Sequence, residues 1–322
     1  MRRAGWPGYD LDVVRVFTHA DCLLHESPPG FPESPQRLRR IVDRLRRDGF
    51  EVTECGDHPE VEEAVRATHE GRYVERFRRA VERGDGLLDS ADNPLSAGTW
   101  DSARAAVSAV LTAADWTVAE PDRCSFAAVR PPGHHAERAT AMGFCYFNNI
   151  AVAADHLRRR HGVDRLAIFD FDVHHGNGTQ HLFEDRGDVL FVSTHQFPFY
   201  PGTGAEGERG WGAGEGATVN VPLPVGTGDD GYRRALERQV EPAIREYRPQ
   251  LLLVSAGFDA WRYDPLGGMR VGREAIADWG RRLAALADEL CEGRLLACLE
   301  GGYDLESLPG LVSDHLRAIA GA

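Results

Sequence analysis

Short apolar runs alternate with amphipathic stretches from residue 124 to the end of the chain. The runs are nearly continuous in Val, Leu, Ile and Phe, which is typical of strands buried on both faces of a parallel sheet. The stretches between them repeat apolar residues at helical spacing. We therefore predict an α/β fold with a mainly parallel sheet and helices on both faces. The runs span 125–132, 165–172, 188–195, 217–223, 250–260 and 294–303, and the helical stretches span 150–162, 230–247 and 273–290.

Two further helices are predicted in the N-terminal part of the chain. Ser34 followed by Pro35 is typical of an N-cap and a first helical residue, and Gly49 is expected to end that helix. Residues 102–114 form a second helical pattern. No internal repeat or low-complexity linker interrupts the sequence, so we predict a single domain over residues 1–322.

Polar residues that need an explanation follow several of the predicted strands. They are residues 130–135, residues 170–175, Asp259 and Tyr303. In open parallel sheets, ligands bind beyond the carboxyl ends of the strands. We therefore expect these residues, although distant in sequence, to meet at one edge of the sheet.

The amino-acid composition indicates which kinds of partner the protein can bind and in which compartment it is located. The net charge is −13, and all 37 basic residues are arginine. Because phosphate contacts need a basic surface, we predict no nucleic-acid partner, whereas a cationic substrate would be attracted. No apolar run is long enough to span a membrane, and the N-terminal arginines precede no apolar signal segment. Six scattered cysteines without a CxxC pair favour a cytoplasmic location without disulfides.

The segment that starts at Asp170 has the composition of a metal site. Alternate residues of an extended chain share a face, so Asp170, Asp172 and His174 can point the same way. Buried carboxylates are unfavourable unless a positive charge neutralises them. Asp259, at the end of another apolar run, supplies a third ligand beside the pair Asp172 and His174. Three protein ligands leave a position open for water, which indicates a catalytic metal.

Two other motifs can act beside such a metal. A rigid Pro-Pro-Gly turn presents His134 and His135, which are candidate general acid and base. Alone, paired histidines are more often structural. Tyr303, in a glycine turn after the last apolar run, can donate a hydrogen bond to a developing oxyanion. A packed core tyrosine is the alternative interpretation.

Together these motifs resemble the histone deacetylase family in its broad sense, which includes bacterial deacetylase-like amidohydrolases and acetylpolyamine amidohydrolases. The resemblance is closer to the class II branch than to class I. It implies the three-layer α/β/α arginase/deacetylase fold with an eight-stranded sheet, and zinc bound by Asp172, His174 and Asp259. Fe²⁺ or Co²⁺ also suits these ligands. The matching motifs span 25–38, 130–151, 170–183, 199–204, 255–268 and 299–304.

The resemblance also implies roles for individual residues. His135 would be the main base and then acid, His134 would support it electrostatically and be oriented by Asp170, and Tyr303 would polarise the substrate carbonyl. Asn177 stands where class I enzymes have an aspartate. A structural potassium ion is implied at Asp170, Asp172, His174, Ser193 and Thr194. Substrate-binding positions are implied at Gly143, Phe144, Phe199, Tyr200, Leu266 and Asp92.

Three functions remain open at this point. The leading hypothesis is removal of acetyl groups from N-acetyl-lysine-type amines. The first alternative is acetylpolyamine hydrolysis, which Leu266 disfavours because polyamine-selective relatives often carry a glutamate at the aligned position. The second is a catalytically silent acyl-lysine binding protein, which would not need every metal ligand, both histidines and the tyrosine. Tyr200 also departs from the phenylalanine expected in the substrate tunnel wall, so Phe199 is an alternative for that role.

Overall fold

A computed structural model of the protein describes residues 11–321. Its strands are β1 Val14–His19, β2 Glu51–Cys55, β3 Leu87–Leu88, β4 Ser90–Pro94, β5 Cys124–Ala127, β6 Leu166–Asp170, β7 Val189–Gln196, β8 Thr218–Leu223, β9 Leu251–Ala256 and β10 Leu295–Leu299. Its α-helices are α1 Pro35–Arg47, α2 Val61–Thr68, α3 Gly71–Arg83, α4 Thr99–Ala119, α5 Asn149–His161, α6 Asn177–Phe183, α7 Asp229–Ala235, α8 Glu241–Tyr247, α9 Arg273–Leu290 and α10 Leu308–Ala320.

Within the described residues, eight strands form one sheet in the order β2-β1-β5-β10-β9-β6-β7-β8. Every neighbouring pair in this sheet is parallel. The predicted mainly parallel sheet of eight strands is therefore confirmed. The short strands β3 and β4 pair antiparallel in a separate ribbon.

The helices pack in two groups on this sheet. Helices α1 and α9 both contact α10, and α8 packs on α9. Helices α2, α3 and α5 contact α4, and α6 contacts α5. The two groups supply the outer layers of the predicted α/β/α arrangement. No helix among residues 11–321 has both the length and the apolarity needed to cross a membrane.

All six apolar runs contain a strand, but the pattern did not predict β1 and β2. The reason for β2 is its position at the sheet edge, where its side chains are only partly buried and no continuous apolar run is required. The predicted helix at 230–247 contains α7 and α8, joined by a π-helical turn at Leu236–Val240. Ser34 does precede α1, but its side chain makes no capping hydrogen bond. All six cysteines are free.

The strand order explains how the polar motifs meet. Strands β5, β10, β9 and β6 are consecutive and parallel, so their carboxyl ends lie at one edge. The tandem histidines follow β5, Tyr303 follows β10, Asp259 follows β9, and Asp172 follows β6. The expected convergence at one edge is confirmed.

Candidate active site

Asp172, His174 and Asp259 form a buried cluster at the carboxyl edge of β6 and β9. One potential ligand atom from each lies within 4.8 Å of the others. Nδ1 of His174 lies 3.0 Å from Oδ1 of Asp172 and 3.2 Å from Oδ2 of Asp259. The structure therefore brings together the three residues predicted to hold the metal.

The cluster is electrostatically incomplete without a cation. Oδ2 of Asp259 is buried and has no hydrogen-bond partner, because the approach of His174 lacks hydrogen-bond geometry. Burial, followed by the nearby Asp172 carboxylate, raises the pKa of Asp259 to about 7. A buried acid that resists ionisation next to another carboxylate is the environment that a divalent ion relieves. These residues therefore fit a metal ion.

Two glycines leave room for the carboxylates. A Cβ atom at Gly301 would lie 2.2 Å from Oδ2 of Asp259 and 2.5 Å from Oδ2 of Asp172. A Cβ atom at Gly257 would lie 2.0 Å from Oδ2 of Asp172. The Gly301 amide instead donates to Asp172 Oδ2 at 2.8 Å, and the Val173 amide donates to Asp259 Oδ1 at 2.8 Å. One oxygen of each carboxylate is therefore held by a hydrogen bond from a backbone amide.

His134 is held by two buried acids. Its Nδ1 lies 3.0 Å from Oδ2 of Asp170, as the predicted orienting role requires. The amides of Gly133 and His134 both donate to Oε2 of Glu300, at 2.6 and 3.1 Å, and this anchors the turn. Nε2 of His134 faces Asp172 Oδ1 at 3.9 Å.

The neighbouring His135 is held as a neutral base. Its Nδ1 lies 2.7 Å from Oδ1 of Asn177. The orientation of this amide is set because its Nδ2 donates to Glu137. Since Asn177 presents an acceptor, Nδ1 of His135 carries the proton and Nε2 keeps its lone pair.

The two imidazoles have pKa values shifted in opposite directions. Burial alone would lower the pKa of His134, but the carboxylates of Asp172 and Asp170 raise it to about 10. Burial, helped by the positive charges of His134 and His174, lowers the pKa of His135 well below its usual value. Neighbouring groups with divergent pKa values are typical of acid–base catalysis.

Tyr303 follows β10 and lies beside the cluster. Its amide donates to Oδ2 of Asp264 at 2.7 Å, and the guanidinium of Arg37 lies 4.8 Å from its ring centre. Arg37 also donates to the carbonyl of Gly302 at 2.6 Å. Burial raises the pKa of the Tyr303 hydroxyl well above its usual value, so this hydroxyl is a neutral donor.

Aromatic side chains surround these polar residues. Phe199 stacks on His174, with ring centres 5.3 Å apart. Tyr200 meets His135 edge-on at 5.2 Å, so both candidate wall residues contact the site. Phe144 contacts Tyr303 at 5.8 Å. Each of the three aromatic residues predicted for the tunnel wall therefore contacts a predicted metal-binding or catalytic residue.

The remaining predicted substrate residues lie around this wall. The Tyr200 hydroxyl donates to Asp92 Oδ2 at 3.3 Å. Gly143 has a positive φ of 56°, and a Cβ atom there would lie 2.3 Å from Cδ2 of His135. The Leu266 amide donates at 2.9 Å to Oδ1 of Asp264, the acid that also accepts from the Tyr303 amide.

Residues 31–319 match the histone deacetylase domain family. The chain belongs to this family. A probable deacetylase from Archaeoglobus fulgidus is 40% identical over 314 residues, covering 96% of this chain and 87% of that protein. A histone deacetylase-like amidohydrolase from Pseudomonas aeruginosa is 38% identical over 285 residues, covering 87% and 74%. The family resemblance drawn from the sequence is confirmed, and it gives the chain a deacetylase function.

Solved structures agree with this assignment. The crystal structure of an acetylpolyamine aminohydrolase from Burkholderia pseudomallei matches with a TM-score of 0.86 and 31% identity, covering 95% of this chain and 98% of that one. The predicted arginase/deacetylase fold is therefore confirmed.

The residues predicted for a monovalent cation lie on or directly after the neighbouring strands β6 and β7. Ser193 and Thr194 are buried in β7, and Ser193 is paired in register with Asp170 of β6. The Thr194 hydroxyl is buried without a hydrogen-bond partner. The Ser193 hydroxyl contacts Nδ1 of His195 at 2.9 Å. The unpartnered hydroxyl fits a cation ligand.

Sequence reasoning did not assign roles to three acids in this deacetylase site. They are Glu300, Asp264 and Glu137, which anchor the histidine turn, the Tyr303 backbone and the Asn177 amide. Glu300 offered a signal, since it is an acid directly after an apolar strand. Asp264 and Glu137 lie in loops, where an acid is ordinary.

Proposed function

We propose that this protein is a zinc-dependent amidohydrolase that removes acetyl groups from N-acetyl-lysine-type amines. The observation that supports this most is the meeting of Asp259 with Asp172 and His174 beside the tandem histidines. The pattern of residues matches a hydrolytic metal site rather than a binding module, because base, donor and ligands are all present. We further propose that residues 1–322 act as one catalytic domain.

Asp172, His174 and Asp259 would hold the metal. A divalent ion there would supply Lewis-acid polarisation of the amide carbonyl and lower the pKa of a water molecule. Mixed carboxylate and imidazole ligation suits Zn²⁺, and Fe²⁺ or Co²⁺ are the alternatives. Asp259 Oδ2, which has no hydrogen-bond donor, is the atom that gains most from the ion.

The proton transfers belong to the histidine pair. His135 accepts the proton of the attacking water at Nε2, because Asn177 keeps the other proton on Nδ1. His135 then returns a proton to the leaving amine nitrogen. His134 remains charged between its carboxylates and stabilises the negative charge that develops on the substrate.

Tyr303 supplies the oxyanion donor. Its hydroxyl remains protonated at neutral pH and can donate to the carbonyl oxygen of the scissile amide. Arg37 and Asp264 hold its ring and backbone, so the donor is positioned before substrate binds. Preorganised donors of this kind lower the barrier by about 3 kcal/mol.

The aromatic wall would receive the aliphatic part of the substrate. Phe144, Phe199 and Tyr200 bury methylene groups, and Asp92 adds a negative charge beside Tyr200. An apolar passage with acid at its edge suits a lysine side chain carried on a peptide. We also propose potassium binding near Asp170, Asp172, His174, Ser193 and Thr194, supported by the unpartnered Thr194 hydroxyl.

Acetylpolyamine hydrolysis is the second candidate. It is favoured by the structural likeness to the Burkholderia pseudomallei acetylpolyamine aminohydrolase. It is disfavoured by Leu266, which offers no charge to a second ammonium group of the substrate. The two candidates share the chemistry and differ only in what surrounds the acetylated nitrogen.

The decisive experiment compares kcat/KM on protein of known metal content. The substrates are an acetyl-lysine peptide, longer acyl-lysine peptides and acetylated polyamines. We expect the acetyl-lysine peptide to be preferred. Preference for the acetylated polyamine would establish acetylpolyamine hydrolysis as the function. If the metal-loaded protein hydrolysed none of these substrates, the proposed function would be contradicted.

A further inference from the structure

Three histidines converge on one carboxylate far from the active site. Nε2 of His156 and Nε2 of His161 each lie 2.7 Å from Oδ1 of Asp115. Nε2 of His58 lies 3.0 Å from Oδ2 of the same side chain. The four residues come from α4, α5 and the segment before α2, so tertiary packing assembles them. We refer to these four residues as the outer cluster.

The outer cluster is separate from the catalytic centre. Helix α5 begins at the active-site edge, where Asn149 donates to the carbonyl of Pro131 at 3.0 Å. His161 is the last residue of α5 and precedes β6. A rise of 1.5 Å per residue places His161 roughly 18 Å along the helix from Asn149, towards the opposite edge of the sheet.

The tautomer of His58 decides which oxygen of the Asp115 carboxylate this imidazole contacts. Its Nδ1 accepts a hydrogen bond from the Glu60 amide at 3.2 Å, so in the neutral ring the proton resides on Nε2. His58 therefore donates to Oδ2 of Asp115 and orients the carboxylate. Oδ1 faces the other two imidazoles.

His156 has the arrangement of a metal ligand with an outer partner. The ring is buried, and its Nδ1 faces Oε2 of Glu60 at 3.5 Å. When Nε2 binds a metal, the remaining proton of the imidazole is on Nδ1, where this carboxylate can accept it. Such carboxylate–histidine–metal pairs fix the tautomer and raise affinity. His161, whose side chain is 30% exposed, gives access from solvent.

The spacing suits coordination after a small adjustment. Two ligand atoms each about 2.0–2.1 Å from a tetrahedral ion are roughly 3.3 Å apart. Each of the two contacts of 2.7 Å to Oδ1 therefore has to open by about half an ångström to reach this spacing. His161 at a helix end can provide that movement.

We propose that Asp115 Oδ1, His156 Nε2 and His161 Nε2 bind a second divalent transition-metal ion, with His58 and Glu60 orienting the ligands. Zn²⁺, Co²⁺ and Ni²⁺ suit this set of imidazole and carboxylate donors. Solvent completes the coordination. Because Asp115 belongs to α4 and both ligating histidines belong to α5, the ion links these two helices.

The test is titration of the purified protein, already holding its active-site ion, with Co²⁺ alone. We expect a further equivalent of cobalt to bind, with visible absorption of low-coordinate cobalt and a rise in Tm. His156→Gln and His161→Gln should each weaken this binding at least about 100-fold, since each removes a ligand. His58→Gln should weaken it by roughly 10- to 100-fold, as removal of an orienting partner does.

Arg159→Gln is the matched control. Arg159 lies in the same helix and pairs with Glu63 rather than with Glu60, and it contributes no ligand. It should bind the second cobalt within about threefold of the native protein, as expected for an exposed ion pair. A general loss of helix stability would lower binding in this variant as well, and that result would overturn the assignment of ligands.

Two results would overturn the site itself. One is the absence of a further cobalt ion in the native protein at a free concentration of about 1 mM. The other is unchanged binding in the double variant of His156 and His161. The Asp259→Asn variant separates this inference from the proposed function, because it should lose hydrolysis yet still bind cobalt at the outer cluster.

Discussion

Two groups of carboxylates and imidazoles differ in how their polar atoms are paired. The inner group is Asp172, His174 and Asp259, and it lies towards the opposite ends of the sheet strands from the outer cluster. In the inner group, Asp172 and Asp259 receive backbone amides, and one oxygen of Asp259 has no donor. In the outer cluster, the single carboxylate of Asp115 receives contacts from three imidazoles. The inner group therefore leaves Oδ2 of Asp259 without a hydrogen-bond donor, whereas both oxygens of Asp115 are contacted by imidazoles.

This difference teaches what distinguishes a catalytic metal site from an accessory one. The inner acids are fully buried, so their charges are stable only beside a cation. Asp115 is partly exposed and already hydrogen-bonded, so an ion must compete with existing contacts. We expect permanent occupancy of the inner site and reversible occupancy of the outer one. The predictions below test this contrast, beginning with the largest effect.

Asp259→Asn should remove metal and activity together. Loss of an anionic ligand removes Lewis-acid stabilisation worth several kcal/mol, so kcat should fall by roughly 10³-fold or more. Metal analysis and turnover of an acetyl-lysine peptide measure both quantities. Asp278→Asn, at an ion pair on α9, is the matched control and should keep both. Unchanged metal content in the Asp259 variant would count against its role as a ligand.

Tyr303→Phe should keep the metal but lose most turnover. The variant lacks only the oxyanion donor, whose removal typically lowers kcat by about 10²- to 10³-fold. Tyr247→Phe removes a hydroxyl that contacts the Gly187 carbonyl away from the site and should be nearly silent. Near-normal rates in the Tyr303 variant would show that the inner group works without this donor.

The acid limb of kcat/KM should lie below pH 6.5, the ordinary pKa of histidine. His135 must be neutral to accept a proton, and its pKa is lowered by burial and neighbouring imidazoles. Activity is therefore retained as the pH falls to 6.5 and is lost, about tenfold per pH unit, below the lowered pKa. A profile measured between pH 5 and 9 checks this, and a midpoint above pH 7 would contradict His135 as the base.

Leu266→Glu should produce the smallest change. A carboxylate near Asp264 and Tyr303 would attract the second ammonium group of an acetylpolyamine, in a partly solvated pair worth up to about 1 kcal/mol. The ratio of kcat/KM for acetylpolyamine over acetyl-lysine peptide should rise by roughly fivefold. Leu266→Gln is the uncharged control. An unchanged ratio would refute the placement of Leu266 at the substrate entrance.

Much of the inner site could be predicted because its residues end buried strands. Apolar periodicity located β6, β9 and β10, and parallel strands present their carboxyl ends at one edge. The motifs around His135, Asp172 and Tyr303 then supplied the family resemblance. Local sequence was sufficient to predict that these candidate residues meet, because each follows shortly after the strand that positions it.

Other features depended on the tertiary structure. The edge strand β2 lacks a continuous apolar run, and Glu137 orients Asn177 across 40 residues. The outer cluster joins His58 to Asp115 across 57 residues and to α5 beyond it. Such contacts are not encoded in any local pattern, because helix packing alone decides which side chains meet. The sequence by itself determined which polar residues follow the strands. Tertiary packing determined which side chains contact those residues, and it also assembled the outer cluster.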